Sequence, residues 1–475
     1  MKTRTILSAL FVACIAIFLN SCQKNTPFVD PTGKISGYLV SYEQTTQQQA
    51  DKALNAVLST IDDYGFIGTA RQVVTSAINN LLGSNFSGAR WQMKIYTIVY
   101  NTVDAQGRRI QLSGDVAYID DTNEGSTREL SAVSIFNTMF NMDDVDNLYY
   151  NSTKLYETTV LPLRSFHNNL VVFPLFQGAG NDKGVHKFTP MEYGLKARQS
   201  IDCAMAALQL IQVLPRISME EGYGLENMGV SNGASTAVAI HYLLENGGVS
   251  DRVASSLNLL GTYAGEGTYT PSTHILNILG NKISSSSGIY DELPFNSLAI
   301  LQGMMDSHPD IFSQYGVQEV RDYFSDDVLQ IKIPYNGEKI DLIDYMNTGN
   351  LSPLEEDLYF SPNGLDISNM FSSDLFKSSG TLNYNSALVK AVYDASTQNE
   401  LYFSDWLPVA NMTIVHSKAD EVSTLTSAQN MYENLSGNGY NKSVTFSSLY
   451  YMDHVTSSAY QLLANISKKH PCPID

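Results

Sequence analysis

The stretch GLENMGVSNGASTAVAIHYLLE, Gly224 to Glu245, decides how the rest of the chain is read. Leu225, Met228 and Val230 form a short apolar segment, Gly229-Val230-Ser231-Asn232-Gly233-Ala234 follows, and Ala237, Val238, Ile240, Leu243 and Leu244 then recur at helical spacing. The order is strand, sharp turn, helix. Gly229 and Gly233 leave room for strand and helix to approach closely, which puts Ser231 in a strained conformation with its hydroxyl presented outward. The helix behind it aims its first N–H groups at whatever sits on the serine, favouring a developing negative charge. A bare Gly-x-Ser-x-Gly also arises in ordinary glycine-rich turns, so the remaining chain must decide between a nucleophile and an incidental serine.

At 475 residues the chain has length for two or three units of ordinary domain size, and its 43% hydrophobic content specifies a folded body. The formal charge of −19 repels phosphate backbones, so nucleic acid is not an expected partner. The 28 tyrosines suit packing first and sugar stacking second.

Met1-Lys2-Thr3-Arg4 is a short basic stretch, Ile6 to Leu19 is apolar, and Leu19-Asn20-Ser21-Cys22 follows at once. The apolar run is shorter than the ~20 residues of a membrane span. Leu-x-Ser-Cys resembles the lipobox of bacterial lipoproteins, which implies cleavage after residue 21 and acylation of Cys22; an ordinary secretory leader with an incidental cysteine is the alternative. Either reading takes the chain out of the cytoplasm, to the bacterial cell envelope if the anchor is made. Cys203 sits in a helical pattern and reads as a core residue. Pairing of Cys203 with Cys472 stays open in an oxidising compartment.

Residues 22–88 read as a polar tether followed by two helical patterns, Glu43 to Ile61 and Ile67 to Leu82, the second stopped by Gly83. From Trp91 the period changes. WQMKIYTIVYNT alternates, Asp104-Ala105-Gln106-Gly107 is a turn, and RIQLSGDVAYI alternates again, which gives a hairpin. Ser131 to Phe136 (SAVSIF) and Leu170 to Pro174 (LVVFP) are continuous apolar strands, and Gly194 to Val213 is a long helix. Strands alternating with helices specify a mainly parallel sheet with helices on both faces.

Tyr100-Asn101-Thr102-Val103-Asp104-Ala105-Gln106-Gly107, with Ser113-Gly114-Asp115-Val116 after it, resembles the opening hairpin of the secreted lipase and esterase-like group of α/β-hydrolases. That group's Pro-Asp-Tyr-x-Gly-x-Gly turn is similar to Pro174-Leu175-Phe176-Gln177-Gly178-Ala179-Gly180, and its His-Pro-Tyr to His186-Lys187-Phe188. Leu175 replaces the aspartate; Gly178 and Gly180 read as a tight turn rather than a phosphate cradle. The resemblance covers roughly residues 90 to 265 and 405 to 465 and implies an α/β-hydrolase fold.

That fold orders its catalytic residues serine, acid, histidine. Asn411 to Ser417 (NMTIVHS) reads as a strand, and Asp420 with Val422 resembles the group's Asp-x-Val-Pro, with Ser423 in place of proline. Glu421 is the fallback acid. Ser447 to Tyr451 reads as the last strand. Of eight histidines, His454 alone follows the acid at the head of a terminal helix; His416 lies in a strand and reads as core. The resemblance therefore implies a triad of Ser231, Asp420 and His454 that cleaves carboxylic esters through an acyl-enzyme. The oxyanion donors are expected to be the backbone N–H of Asn232 and a group from the loop after SAVSIF. There Asn137-Thr138-Met139 stands where the group has His-Gly, so Thr138 or the Asn137 amide would donate.

The chain divides into a leader (1–21), tether and N-terminal helices (22–88), a first core part (89–268), a largely helical lid insertion (269–404) and a second core part (405–475). Ser297 to Met305 and Val317 to Phe324 read as lid helices, and Tyr290, Phe295, Tyr345, Tyr359 and Phe360 as the lid's own core or a pocket lining. Asp143-Asp144-Val145-Asp146-Asn147 misses the spacing of a calcium loop. No cofactor and no metal are expected. The expected substrate is a small-molecule, lipid or acylated-glycan ester, met at a membrane held through the lipid anchor. A serine peptidase on the same triad, and a non-catalytic surface lipoprotein that binds glycan, peptide or lipid, are the competing readings.

Overall fold

A nine-stranded sheet carries the site, with strand order β1-β2-β3-β5-β4-β6-β7-β10-β11. The computed structural model describes residues 38–44, 91–121, 127–137, 164–165, 167–280, 293–330, 332–348, 370–403, 406–450 and 452–466. The leader, Cys22, the tether, the two expected helices from residue 45 onward, Thr138, residues 143–147, Tyr290, Tyr359, Phe360 and Cys472 lie outside these.

Strands β1 (Leu39–Gln44), β2 (Trp91–Val103) and β3 (Arg109–Asp121) pair antiparallel, and β3 joins β5 (Asn169–Pro174) antiparallel. From β5 the pairing is parallel through β4 (Arg128–Asn137), β6 (Ile217–Val230), β7 (Leu259–Gly265), β10 (Asn411–Ser417) and β11 (Val444–Leu449). The continuous apolar runs have the burial that central parallel strands require: every residue of β5 is buried.

One expectation fails at the N-terminal edge. The helical pattern drawn from Glu43 begins as strand, because Leu39 to Gln44 completes the open edge of β2 and Tyr42 meets the Tyr96 ring edge-on at 6.1 Å.

Helices α1 (Tyr193–Val213), α2 (Asn232–Glu245) and α3 (Asp251–Leu257) cover the sheet. Cys203 on α1 is a buried free thiol, and it explains Gly114: a Cβ there would stand 2.6 Å from its Sγ. The glycines at 178 and 180 both have positive φ, +83° and +57°, which marks the turn as a backbone device.

Between β7 and β10 the chain leaves the sheet. Helices α4 (Pro271–Leu279), α5 (Leu293–Ser307) and α6 (Ala387–Thr397), several short helices and an antiparallel hairpin of β8 (Lys332–Tyr335) and β9 (Glu338–Asp341) build a second apolar cluster. Phe295 and Tyr345 are buried in it and form its core. The expected helix Val317 to Phe324 is reduced to a 3₁₀ turn at Val320–Tyr323, since Phe324 bridges to Phe371 in extended form. Helices α7 (Leu425–Leu435) and α8 (His454–Ile466) return the chain to the sheet.

The β6–α2 crossing sets the site, and it rests on two glycines. A Cβ on Gly229 would lie 2.1 Å from the carbonyl oxygen of Gly233. Gly229→Ala is therefore expected to cost about 1–3 kcal/mol by overpacking, read as a lowered urea midpoint; an unchanged midpoint would contradict the close approach.

Candidate active site

Ser231 sits between β6 and α2 with φ 54° and ψ −129°, a conformation non-glycine residues rarely adopt. Its backbone N–H donates to the Gly265 carbonyl at 2.7 Å, and its own carbonyl accepts from Ala234 at 3.0 Å. Both contacts hold the turn at the C-terminal ends of β6 and β7, the side on which parallel sheets carry their sites.

The sequence-expected residues converge there. Ser231 Oγ stands 2.7 Å from His454 Nε2, and His454 Nδ1 stands 2.7 Å from Asp420 Oδ2. A carboxylate on Nδ1 requires the proton on that nitrogen, which leaves Nε2 to accept the serine O–H. All three side chains are largely removed from water.

Asp420 is fixed by a local loop. Its Oδ1 accepts the N–H groups of Val422 and Ser423, both at 2.8 Å. Ser423, which stands where the similar esterase-like group has proline, is thereby informative: proline at 423 would lack that N–H, and Ser423 also donates its hydroxyl to the Gly267 carbonyl at 2.6 Å. Glu421, the fallback acid, accepts the His454 backbone N–H at 3.2 Å, so it caps α8 instead of orienting the ring.

Electrostatics follow from these contacts. Burial opposes charge on Asp420, but the His454 imidazole beside it prevails and holds the carboxyl well below the usual range. Burial likewise opposes protonation of His454, and the Asp420 carboxylate outweighs it, raising the imidazole above its ordinary value. His416, read from sequence as core, is buried in β10 with Nε2 donating to the Ser423 carbonyl at 2.8 Å; burial pulls its pKa down, and it lies 3.6 Å from Asp420 Oδ2.

On the donor side, Asn232 opens α2, where its backbone N–H has no intrahelical acceptor. Its side-chain oxygen accepts from Lys196 Nζ, a wholly buried lysine on α1 that stands 4.5 Å above the Phe176 ring. Burial lowers the Lys196 pKa to about 7. The structure overturns the expectation for the Asn137 amide. Its amide donates to Asn227 Oδ1 at 3.0 Å and to the Met228 carbonyl at 2.9 Å, while its oxygen accepts from Ser200 at 2.9 Å. Both amide hydrogens are spent fastening β4 to β6, so this side chain is not an oxyanion donor. Thr138 follows it, outside the described residues.

Sequence reading missed two buried groups. Lys196 lies on α1 one turn from the polar residues Glu192, Gln199 and Ser200, so no break in an apolar pattern marks it in the sequence. Glu266 stands between Gly265 and Gly267 at the end of β7, where site loops emerge. Glu266, Asp420 and His454 are the one set among the described residues whose potential ligand atoms lie within 4.8 Å of one another. Asp420 and His454 have already committed those atoms to each other, to Ser231 and to backbone N–H groups, an arrangement suited to moving a proton rather than holding a cation.

No protein-family model matches the chain, and no curated protein matches it in sequence. Solved structures do match, and they show the fold, which is that of the α/β-hydrolases. The chain is similar to the rice cell wall degrading esterase LipA from Xanthomonas oryzae in a ligand-bound form, with TM-score 0.58, 15% identity, and 92% of this chain and 96% of that one covered. It is also similar to a Legionella pneumophila protein described as a hydrolase (TM-score 0.59, 16% identity, 90% and 96% covered). Candida antarctica lipase A aligns with TM-score 0.51 and 13% identity over 89% of this chain and 78% of that one.

If Asp420 and not Glu421 orients the imidazole, Asp420→Asn lowers kcat by about 10⁴-fold, as loss of the correct tautomer does in such triads. Glu421→Gln lowers it by less than about tenfold, the cost of one half-buried helix cap. In the parent protein kcat/KM for an ester is expected to fall with acid below a midpoint above the ordinary histidine value of 6.5, since protonated His454 cannot accept the serine proton. Equal losses in the two variants would contradict the assignment.

Proposed function

We propose that the chain is a serine hydrolase that cleaves carboxylic esters through an acyl-enzyme. The observation that carries this reading is the unbroken relay from strained Ser231 through both ring nitrogens of His454 to Asp420, with 2.7 Å at each contact. His454 Nε2 takes the Ser231 proton as Oγ attacks the ester carbonyl. The tetrahedral oxyanion forms at the N-terminus of α2, where the Asn232 N–H meets it. His454 then protonates the departing alkoxide. Water, deprotonated by the same nitrogen, releases the acid and restores Ser231.

Esterases and lipases among the structural neighbours support ester chemistry, and a cell wall degrading esterase among them favours an acylated glycan alongside lipid and small-molecule esters. The leader and lipobox support acylation at Cys22 and a place in the bacterial cell envelope. Among the described residues no helix is long and apolar enough to cross a membrane.

A fluorophosphonate probe is expected to label the purified protein, and Ser231→Ala to abolish both labelling and turnover of aryl esters, with kcat lowered about 10⁶-fold. Absence of labelling in the parent protein would favour a binder built on the fold; labelling with amide but no ester turnover would favour a peptidase.

A further inference from the structure

Beside the relay lies a second buried carboxyl group that the steps above do not use. Glu266 leaves β7 with φ +56° and is fully buried. Its backbone N–H donates to the Val415 carbonyl at 2.9 Å, and its two side-chain oxygens share the Ser417 N–H at 2.8 and 3.0 Å. Gln461 of α8 donates its amide to Oε1 and is itself held by the Tyr263 hydroxyl at 2.8 Å. The flanking glycines make room for this construction: a Cβ at Gly265 would lie 2.1 Å from Gln461 Oε1, and one at Gly267 would lie 2.4 Å from the Tyr269 ring.

The remaining side of Glu266 faces Asp420. The two carboxyl groups are in hydrogen-bond contact, and His416 Nε2 stands 3.6 Å from Glu266 Oε2 and 3.6 Å from Asp420 Oδ2. The polar and titratable groups around Glu266 are His416 and Ser417 from β10, Asp420 from the loop after it, His454, Ser457 and Gln461 from α8, and Tyr269 ahead of α4. Among the described residues no lysine or arginine forms an ion pair with it. Two carboxylates in contact, both out of water and without a fixed cation, cannot both carry charge. Asp420 has the stronger hold on it, with two backbone N–H groups on Oδ1 and the imidazole on Oδ2. One proton therefore resides on Glu266.

We propose that Glu266 is a neutral positioning residue which donates its carboxyl O–H to Asp420 and so fixes the carboxylate that orients His454. The inference rests on the serine-hydrolase reading for its consequence in turnover, though not for the proton itself. Burial, with Asp420 next to it, pushes the Glu266 carboxyl up to about 9. Below that pH the group is a donor. Above it the O–H is lost, a second negative charge faces Asp420, and the acid that holds the ring is pushed from its place.

Two readouts test this. The first is infrared difference spectroscopy of the full chain, wild type minus Glu266→Gln, which reads the C=O stretch of a protonated carboxyl group without reference to turnover. The band is expected at pH 7 and lost above about pH 9. The second is the pH profile of kcat. Glu266→Leu, which removes the donor, lowers kcat about 10- to 100-fold, the usual cost of a lost hydrogen bond to a charged group. Glu266→Gln restores most of that, because its amide still donates, and it abolishes the alkaline fall near pH 9 that the wild type shows. No protonated band at pH 7, or an alkaline fall shared unchanged by Glu266→Gln, would overturn the proposal. Failure of the wild type to react with fluorophosphonate would instead sink the hydrolase reading, while the infrared band still decides where the proton sits.

Discussion

One imidazole has to meet two partners at once, and the fold is arranged so that it can. His454 lies 223 residues from Ser231 and 34 from Asp420 in the chain, yet it stands 2.7 Å from each. Parallel pairing makes this possible by aligning strand ends. Val230 pairs with Gly265, Gly265 with Val415, and Ser417 with Leu449, so the turn after β6, the loop after β10 and the head of α8 leave the sheet along one edge. A one-residue slip in any of these registers would turn the side chains to the other face and take the acid or base away from the serine.

The same edge concentrates strain and buried charge. Ser231 and Glu266 both have positive φ, and both follow a strand that ends at glycine or beside one. Such conformations cost of order 1–3 kcal/mol each and persist where the surroundings over-determine them. Here the Ser231 N–H is tied to Gly265 and the Glu266 N–H to Val415, so adjacent strands hold the two strained residues in place. Charge is managed in the same way. Asp420 keeps its negative charge out of water because backbone N–H groups, fixed by a tight loop, replace the solvent it has lost.

Much of this was legible in the sequence because the signals are local. The crossing at Gly229 and Gly233, the loop around Asp420 and the helix opening at His454 each occupy a few consecutive residues, and fold order relates them. The apolar runs of β4, β5 and β10 appear within a residue or three of where they were expected. What was not legible depends on distant partners. Asn137 read as a loop amide, but its partners Asn227 and Ser200 lie 90 and 63 residues away, and they place it inside the sheet. Residues 39 to 44 joined the sheet because β2 offered an open edge, which no short-range pattern announces. Glu266 and Lys196 carry no motif; their meaning comes only from being buried against the site.

The most direct test follows the first turnover. Rapid acid quench after mixing with a p-nitrophenyl ester, with mass analysis of the digested protein, should show one acyl group on the peptide that contains Ser231, formed in a burst before steady hydrolysis. Ester hydrolysis with no burst and no adduct, or with the acyl group on a different side chain, would contradict the account.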